Sequence, residues 1–282
     1  MNPLPLPGIH HNVPFEDYQS WDALNFSTLK HMNGTASKCK HAMDNPKEMT
    51  DAMKNGQALH VATLEPGRFD GMFHICPPAD GRTKEGKDLL AYHSQLASDA
   101  KKIMIRKGLK DDESKLEAIE AYRGMAAAIH RSKAAGMFLK AQGQNEVSML
   151  WQDADTGLMC KGRIDRLCDA LGYVVEIKST RDADDWSFGK DVASMGYHAQ
   201  AGCYLTGLKA ITGKSFGHVI IAVESIAPFD LKVNMLDDAA IQTGLLKYRE
   251  WLNRFAECKK NNHWPGYPDQ VTTLQLPKYA TI

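Results

Sequence analysis

The segment GRIDRLCDALGYVVEIKST, residues 162–180, decides the fold. Leu158 to Cys168 and Tyr173 to Lys178 read as two strands, with Asp169-Ala170-Leu171-Gly172 as the turn between them. A turn centred between Ala170 and Leu171 leaves Asp165 and Glu176 equidistant from it. They then oppose each other on adjacent antiparallel strands, with Cβ atoms ~5 Å apart. Two carboxylates that close repel, at a cost of order 1 kcal/mol unless neutralised. A divalent cation is the usual remedy, and hard oxygen ligands suit Mg2+ or Mn2+ rather than zinc. Lys178 follows Glu176 by two residues, so it shares the same strand face. An ammonium group there can orient or deprotonate a water and stabilise charge on a phosphate. The apolar neighbours Tyr173, Val174, Val175 and Ile177 indicate a buried strand and partly desolvated charges. An exposed hairpin with ordinary salt bridges is the competing reading of these residues alone.

Outward from this hairpin, Glu146 to Asp153 places Val147, Met149 and Trp151 at alternate positions and adds a third strand. Downstream, Asp182 to Asp191 and Gly196 to Ala210 read as helices. His218 to Glu224 and Phe229 to Met235 read as strands, and Asp237 to Asn262 as a closing amphipathic helix capped by Asp237 or Asp238. Upstream, Thr83 to about Ala141 is Ala-rich, charged and helical, broken at Gly108 and Asp111-Asp112-Glu113. A helix from about Pro46 to Leu64 stops at Glu65-Pro66-Gly67. Arg68 to Cys76 reads as a strand, Asn25 or Ser27 caps a short helix through Met32, and residues 1–20 read as extended. The order is helices, a three-strand meander, helices, two strands and a helix. That predicts a mixed α/β or α+β core. One domain is expected over residues 1–282, with its catalytic core at about 144–262 and a helical part at 20–143.

Composition narrows the function. With 282 residues, 43% hydrophobic and 24% charged, the chain can bury a real core. Lys plus Arg and Asp plus Glu are both 34, which excludes a uniformly basic DNA-coating protein but not a local basic surface. No run of ~18 apolar residues is present, so no membrane span is expected. The first residues, MNPLPLPGIHH, contain no apolar stretch of the kind a secretory signal needs. The six cysteines, Cys39, Cys76, Cys160, Cys168, Cys203 and Cys258, form no CxxC pair. They read as reduced, mostly buried thiols in the cytoplasm, and they argue against a cysteine zinc site or an iron–sulfur cluster. No GxxxxGK[ST] string occurs, so ATP use is not expected.

Two other features extend the candidate site. GQALH, residues 56–60, sets His60 on a helix. YHAQAGCYL, residues 197–205, sets Tyr197, Gln200 and Tyr204 along one helix side. Each alone is more simply a packing feature. In this order, however, GxxxH, GxxD, ExK and QxxxY resemble the RecB-type branch of the PD-(D/E)xK nuclease superfamily. Within it the chain is most similar to the RecE-type nuclease, the exonuclease VIII C-terminal domain of phages and prophages. The resemblance spans about residues 10–260 and is carried by NFSTLK, NGQALHVATLEP, DGRTKEGK, EVSMLW, KGRIDRL, VEIKSTRDA and GYHAQAGCYL. Unlike the iron–sulfur relatives of that branch, the chain has no C-terminal cysteine cluster.

The resemblance implies a restriction-endonuclease-like core, a mixed sheet flanked by helices. It implies that His60, Asp165, Glu176 and the Ile177 backbone carbonyl hold one or two Mg2+ ions, with Mn2+ as the alternative. Lys178 becomes the catalytic lysine, while Gln200 and Tyr204 help hold the active site and the scissile strand. Glu146 is a further acidic residue that reaches the metals through water. The implied activity is 5′-to-3′ exonuclease action on double-stranded DNA ends, leaving 3′ single strands for phage-type homologous recombination. A homo-oligomeric ring, a tetramer around the duplex, and a RecT-like single-strand annealing partner in the bacterial cytoplasm complete the expectation. The competing functions are an endonuclease or single-strand nuclease of the same superfamily, a noncatalytic DNA-end-binding subunit, and a metal-dependent small-molecule hydrolase. Retention of Asp165, Glu176 and Lys178 together disfavours the noncatalytic subunit. Candidate phosphate contacts are Arg82, Thr83, Lys84 and Lys87 at one helix start, Ser27 and Lys30 at another, and Arg181 after the catalytic strand. Each is equally well read as a solvated surface residue.

Overall fold

A computed structural model describes residues 4–46, 48–106 and 118–275. The chain opens with strand β1 (Gly8–His10), helix α1 (Phe15–Ser20), strand β2 (Leu24–Asn25) and helix α2 (Phe26–Leu29), which runs into a 3-10 turn. Helices α3 (Ala36–Asp44) and α4 (Asp51–Leu64) follow. Next come α5 (Phe69–Met72), β3 (Phe73–Cys76), α6 (Lys84–Asp99), β4 (Ile103–Arg106), α7 (Ala118–Arg131) and α8 (Lys133–Lys140). The meander is β5 (Gln144–Gln152), β6 (Met159–Cys168) and β7 (Tyr173–Thr180). The chain continues with α9 (Asp185–Ser194), α10 (Tyr197–Thr212), β8 (Gly217–Glu224), β9 (Leu231–Met235) and α11 (Asp238–Asn261).

Caps explain several boundaries. Asn25 Oδ1 accepts the Thr28 N–H and starts α2, and Asp237 Oδ1 accepts the Ala240 N–H and starts α11. Helix α4 begins at Asp51 rather than near Pro46, because the Thr50 hydroxyl accepts the Met53 N–H. Four expectations need correction. Residues 1–20 are not extended throughout: Pro14 with its fixed φ precedes α1, and Glu16 and Asp17 in its first turn are favoured by the positive end of the helix dipole. Helix α3, capped by the Thr35 side chain, was not expected. Within Arg68 to Cys76 only the last four residues form a strand. The long helical stretch is interrupted by β4, whose Ile103 and Ile105 pair in parallel with Phe73 and Ile75 of β3. The breaks read at Gly108 and Asp111 to Glu113 lie outside the described residues.

The main sheet has the order β1-β5-β6-β7-β8-β9, with β2 also paired to β6. Strands β5, β6 and β7 are antiparallel neighbours. Strand β8 runs parallel to β7, with α9 and α10 in the crossover, and β9 is antiparallel to β8. Helices cover both faces. On one face, Val147, Met149, Trp151 and Val174 pack against residues of α2, α3, α10 and α11. On the other, Val175, Ile177, Val219 and Ile221 pack against α4, α7 and α8. Helices α10 and α11 cross at backbone contact: a Cβ on Gly202 would strike the Gly244 carbonyl, and one on Gly244 would strike the His198 carbonyl. All six cysteines are buried thiols outside any disulfide. Among the described residues no helix is long and apolar enough to cross a membrane.

One topological detail creates the site. Strand β5 occupies one edge of β6 from Met159 to Leu167. The other edge is divided: β2 pairs with Cys160 and Lys161, and β7 pairs with Arg166 to Cys168. Residues 162–165 between them face a gap in the sheet, while β7 beyond Val175 stays paired to β8. The observed pair Arg166 with Val175 extends to Asp165 opposite Glu176, at the mouth of this fork.

Candidate active site

Backbone groups at a fork need partners, because unpaired buried N–H groups are costly. Here the acids supply them. Asp165 Oδ2 accepts the Ile177 N–H at 2.8 Å, and Glu176 Oε1 accepts the Asp165 N–H at 3.3 Å. The two carboxylates thus replace the ladder bonds that the diverging strands give up. Both residues are buried, at 7% and 1% exposure.

Side-chain alternation along β6 also slips here. Ile164 and Leu167 lie three apart yet join the same core cluster, whereas Arg166 reaches Phe138 on the opposite face. On the neighbouring strand, Glu146 has a left-handed φ of 51° between regular pairs at Asn145 and Val147. Such a backbone costs of order 1–3 kcal/mol for a non-glycine residue and marks positions with a special task. In this case the result is a cluster: ligand atoms of His60, Glu146 and Asp165 all lie within 4.8 Å of one another. Glu146, expected only as an outer residue, stands inside it.

His60 reaches the fork from α4. Its Nε2 lies 2.8 Å from the Ile177 carbonyl, 117 residues away in sequence, and its Nδ1 lies 3.2 Å from Asp165 Oδ1. A carbonyl can only accept, so Nε2 carries the proton. In the neutral ring, Nδ1 then offers its lone pair to the cluster. Burial, followed by the positive charge of Lys178, lowers the His60 pKa and keeps the ring neutral. The Ile177 carbonyl, expected as a backbone ligand, here fixes the imidazole.

Lys178 Nζ sits 2.7 Å from Glu176 Oε2 and 5.3 Å from the centre of the Tyr197 ring. Glu176 is therefore tied to the lysine and stands beside the three-residue cluster rather than in it. Burial alone would lower the Lys178 pKa, but Glu176 and Asp165 override it and hold the ammonium above its ordinary value. Burial raises the carboxyls of Asp165 and Glu176 well above the usual carboxylate range. Glu146 adds to the effect at Asp165, and Asp165 adds to it at Glu176. Arg163 pairs with Glu146 at 2.8 Å and Lys178 pairs with Glu176, whereas Asp165 has no Lys or Arg partner among the described residues. A buried carboxylate in that state is relieved either by a proton or by a bound cation.

Helix α10 closes the site. Gln200 Nε2 donates to the Tyr204 hydroxyl at 3.0 Å. The Tyr204 ring lies against β6, where Gly162 leaves room: a Cβ there would sit 3.1 Å from the ring. This accounts for the glycine in GRID. Sequence reasoning brought His60, Asp165, Glu176, Lys178, Gln200 and Tyr204 to one place, and the structure does so too. It missed Arg163, which the period of a strand, two residues before Asp165, could have suggested.

The expected phosphate contacts lie on the surface. Arg181 is exposed three residues past Lys178. Ser27 and Lys30 are exposed, but Lys30 ends α2 rather than starting it, and the Thr28 N–H is already taken by Asn25. One of the N–H groups expected to be free at that helix start is therefore already satisfied. Lys84 and Lys87 are exposed in the first turn of α6, whose Thr83 cap accepts the Gly86 N–H. Arg82 is exposed and paired with Asp80 at 3.1 Å.

Comparison with known proteins agrees with this architecture. Residues 25–277 match the model of the PDDEXK-like domain of unknown function (DUF3799). The fold resembles the crystal structure of a candidate exonuclease from Eubacterium rectale, with a TM-score of 0.62 at 15% identity over 95% of this chain and 97% of that one. A second solved structure, SSO0001, aligns over 81% of this chain and 85% of its own at 17% identity, but its TM-score of 0.28 carries no weight. No curated protein matches the sequence. With the family model covering most of its length, and with a mixed sheet flanked by helices around an acidic fork, the chain belongs to this family of PDDEXK-like, nuclease-type domains.

Proposed function

We propose that the chain is a divalent-metal-dependent nuclease of RecE type, acting on double-stranded DNA ends in the 5′-to-3′ direction and leaving 3′ single strands. The observation that carries this reading is the convergence of His60, Glu146 and Asp165 within 4.8 Å, beside the Lys178–Glu176 pair. The donor set fits Mg2+ or Mn2+: two carboxylates, and one imidazole nitrogen whose partner nitrogen is already committed to a carbonyl. His60, Glu146 and Asp165 would hold the ion. When bound, it lowers the pKa of a coordinated water and neutralises charge on the phosphate.

The chain's own groups do the rest. Lys178 stays charged, so it donates hydrogen bonds to the attacked phosphate or to the attacking water instead of removing a proton. Glu176 keeps that ammonium in place. Gln200, through its bond to the Tyr204 hydroxyl, braces the ring that lies on β6, and the exposed Arg181 just past the end of β7 is the proposed contact to the DNA backbone. Support for end-directed action comes from the four-motif resemblance and from the E. rectale neighbour, itself described as a candidate exonuclease. On the same resemblance, the enzyme works in the cytoplasm as a ring-shaped tetramer around the duplex and hands its 3′ strand to a RecT-like annealing protein for recombination.

The deciding test supplies the protein with Mg2+ and linear duplexes labelled at one end or the other, beside a closed circle. Release of 5′ label first, with the circle spared, is expected. Cleavage of the circle would make the enzyme an endonuclease. Wild-type digestion by a protein carrying both Asp165→Ala and Glu176→Ala would remove this site from the reaction.

A further inference from the structure

The geometry points to Arg163 as a positioning residue that aims Glu146 into the cation cluster, with the segment 8–25 as its support. The inference rests on the metal site proposed above. Arg163 Nε donates to Glu146 Oε2 at 2.8 Å, while its Nη1 donates to the Val13 carbonyl at 2.9 Å and the Ser148 hydroxyl at 3.1 Å. The guanidinium also lies over the rings of Phe15 and Tyr18, at 5.8 and 5.9 Å. Four of these five partners are fixed by other contacts. Ser148 pairs with His10 and with Arg163 itself in the ladder. Val13, Phe15 and Tyr18 belong to a segment pinned to the sheet by β1 and β2. They are held further by the buried Lys161, whose Nζ donates to the carbonyls of Tyr18, Gln19 and Trp21. The remaining partner is Glu146, whose left-handed backbone turns it away from the regular ladder.

A planar guanidinium anchored on several sides is a rigid template, and it sets where a carboxylate points. The N-terminal segment therefore acts on the cluster through one side chain, although none of its residues is a ligand. Arg163 touches neither ion nor substrate in this role. Its effect is on the geometry of Glu146, as outer partners commonly tune metal ligands.

The test measures Mn2+ binding by calorimetry in the full chain for wild type, Arg163→Lys, Ser148→Ala and Glu146→Gln. Arg163→Lys keeps the charge and loses the fork that reaches three acceptors together. Its dissociation constant for Mn2+ is expected to rise about 10-fold, in the range seen when outer partners of metal ligands are removed. Ser148→Ala, a smaller change that serves if Arg163→Lys does not fold, is expected to weaken binding in the same direction by a smaller factor. In a Glu146→Gln background neither change should weaken binding further. A merely structural Arg163 would lower the melting temperature in EDTA and leave the affinity of the folded protein for Mn2+ unchanged. Wild-type affinity in both variants, or the same loss with and without Glu146, would overturn the positioning role while leaving the metal site standing. No Mn2+ binding by the wild type would overturn the site and this inference together.

Discussion

Asp165 and Glu176 each bond to the other's strand: the Asp165 carboxylate takes the N–H of Ile177, and the Glu176 carboxylate takes the N–H of Asp165. The acids expected to bind metal are thus also the groups that end the ladder between β6 and β7. Each carboxylate serves the sheet with one oxygen and the active site with the other: Asp165 Oδ2 and Glu176 Oε1 take backbone N–H groups, while Asp165 Oδ1 faces His60 and Glu176 Oε2 faces Lys178. Asp165→Asn is expected to weaken Mn2+ binding by more than roughly 100-fold, beyond what loss of an outer partner causes. Its amide keeps an acceptor for Ile177, so the circular dichroism spectrum should match wild type. Mn2+ binding equal to wild type would show that Asp165 is no ligand.

Metal should stabilise the fold, because it relieves repulsion within the cluster and binds only the native state. At Mn2+ concentrations of about 100 times the dissociation constant, linkage gives ~2.7 kcal/mol. A thermal scan should show a higher melting temperature with Mn2+ than with EDTA. The difference should vanish in His60→Ala.

Lys178→Met should lower cleavage by roughly 10²–10³-fold, the usual loss when one charge-stabilising donor is removed. Glu176 is already held above the ordinary carboxylate range by burial, and without its lysine it takes up a proton instead of remaining as a buried anion. The variant should therefore fold, and single-turnover cleavage at saturating metal measures the loss.

His218 lies on β8 opposite Val174, is 1% exposed, and has no hydrogen-bond partner for either ring nitrogen among the described residues. Burial, with help from the Lys178 charge, depresses its pKa from 6.5 to about 3. Protonation therefore favours the unfolded chain. The contribution of this histidine to stability is fully present above pH 6.5 and declines from there toward about pH 3. The slope is roughly 1.4 kcal/mol per pH unit. Urea melts at several pH values should show a shallower acid loss for His218→Leu than for wild type. Parallel curves would contradict this account.

Much of this was legible in the sequence, and the legible part is local. The meander announced itself through alternating apolar residues and a four-residue turn, and the register followed from counting to Asp165 and Glu176. Helix α11 carried its cap in Asp237. What escaped depended on distance or brevity. Helices α1 and α3 and strand β4 are short, and β4 lies next to Ala-rich helical text that masks four residues of strand. Glu146 could not be placed in the cluster, because a left-handed φ leaves no mark on hydrophobic periodicity. The strand period offered Arg163 as a neighbour of Asp165, but its role was hidden because its anchors, Val13 and Ser148, lie 150 and 15 residues away.

Gly244→Ala tests how α10 is seated. The added methyl meets the His198 carbonyl, a backbone atom that cannot swing aside. Overpacking of this kind costs roughly 1–3 kcal/mol. Because α10 also carries Gln200 and Tyr204, the melting temperature and the cleavage rate should fall together. Loss of stability with an unchanged rate would show that the helix moves without disturbing Tyr204.

The six buried thiols give this chain an internal gauge of opening. Burial pushes Cys39 up to about 11 and Cys160 up to about 12, so neither presents a reactive thiolate in the folded state. An alkylating reagent therefore modifies the protein only as fast as segments come apart. Because Cys160 sits beside the fork and Cys76 on the small two-stranded sheet, the order of labelling reports which sheet breathes first.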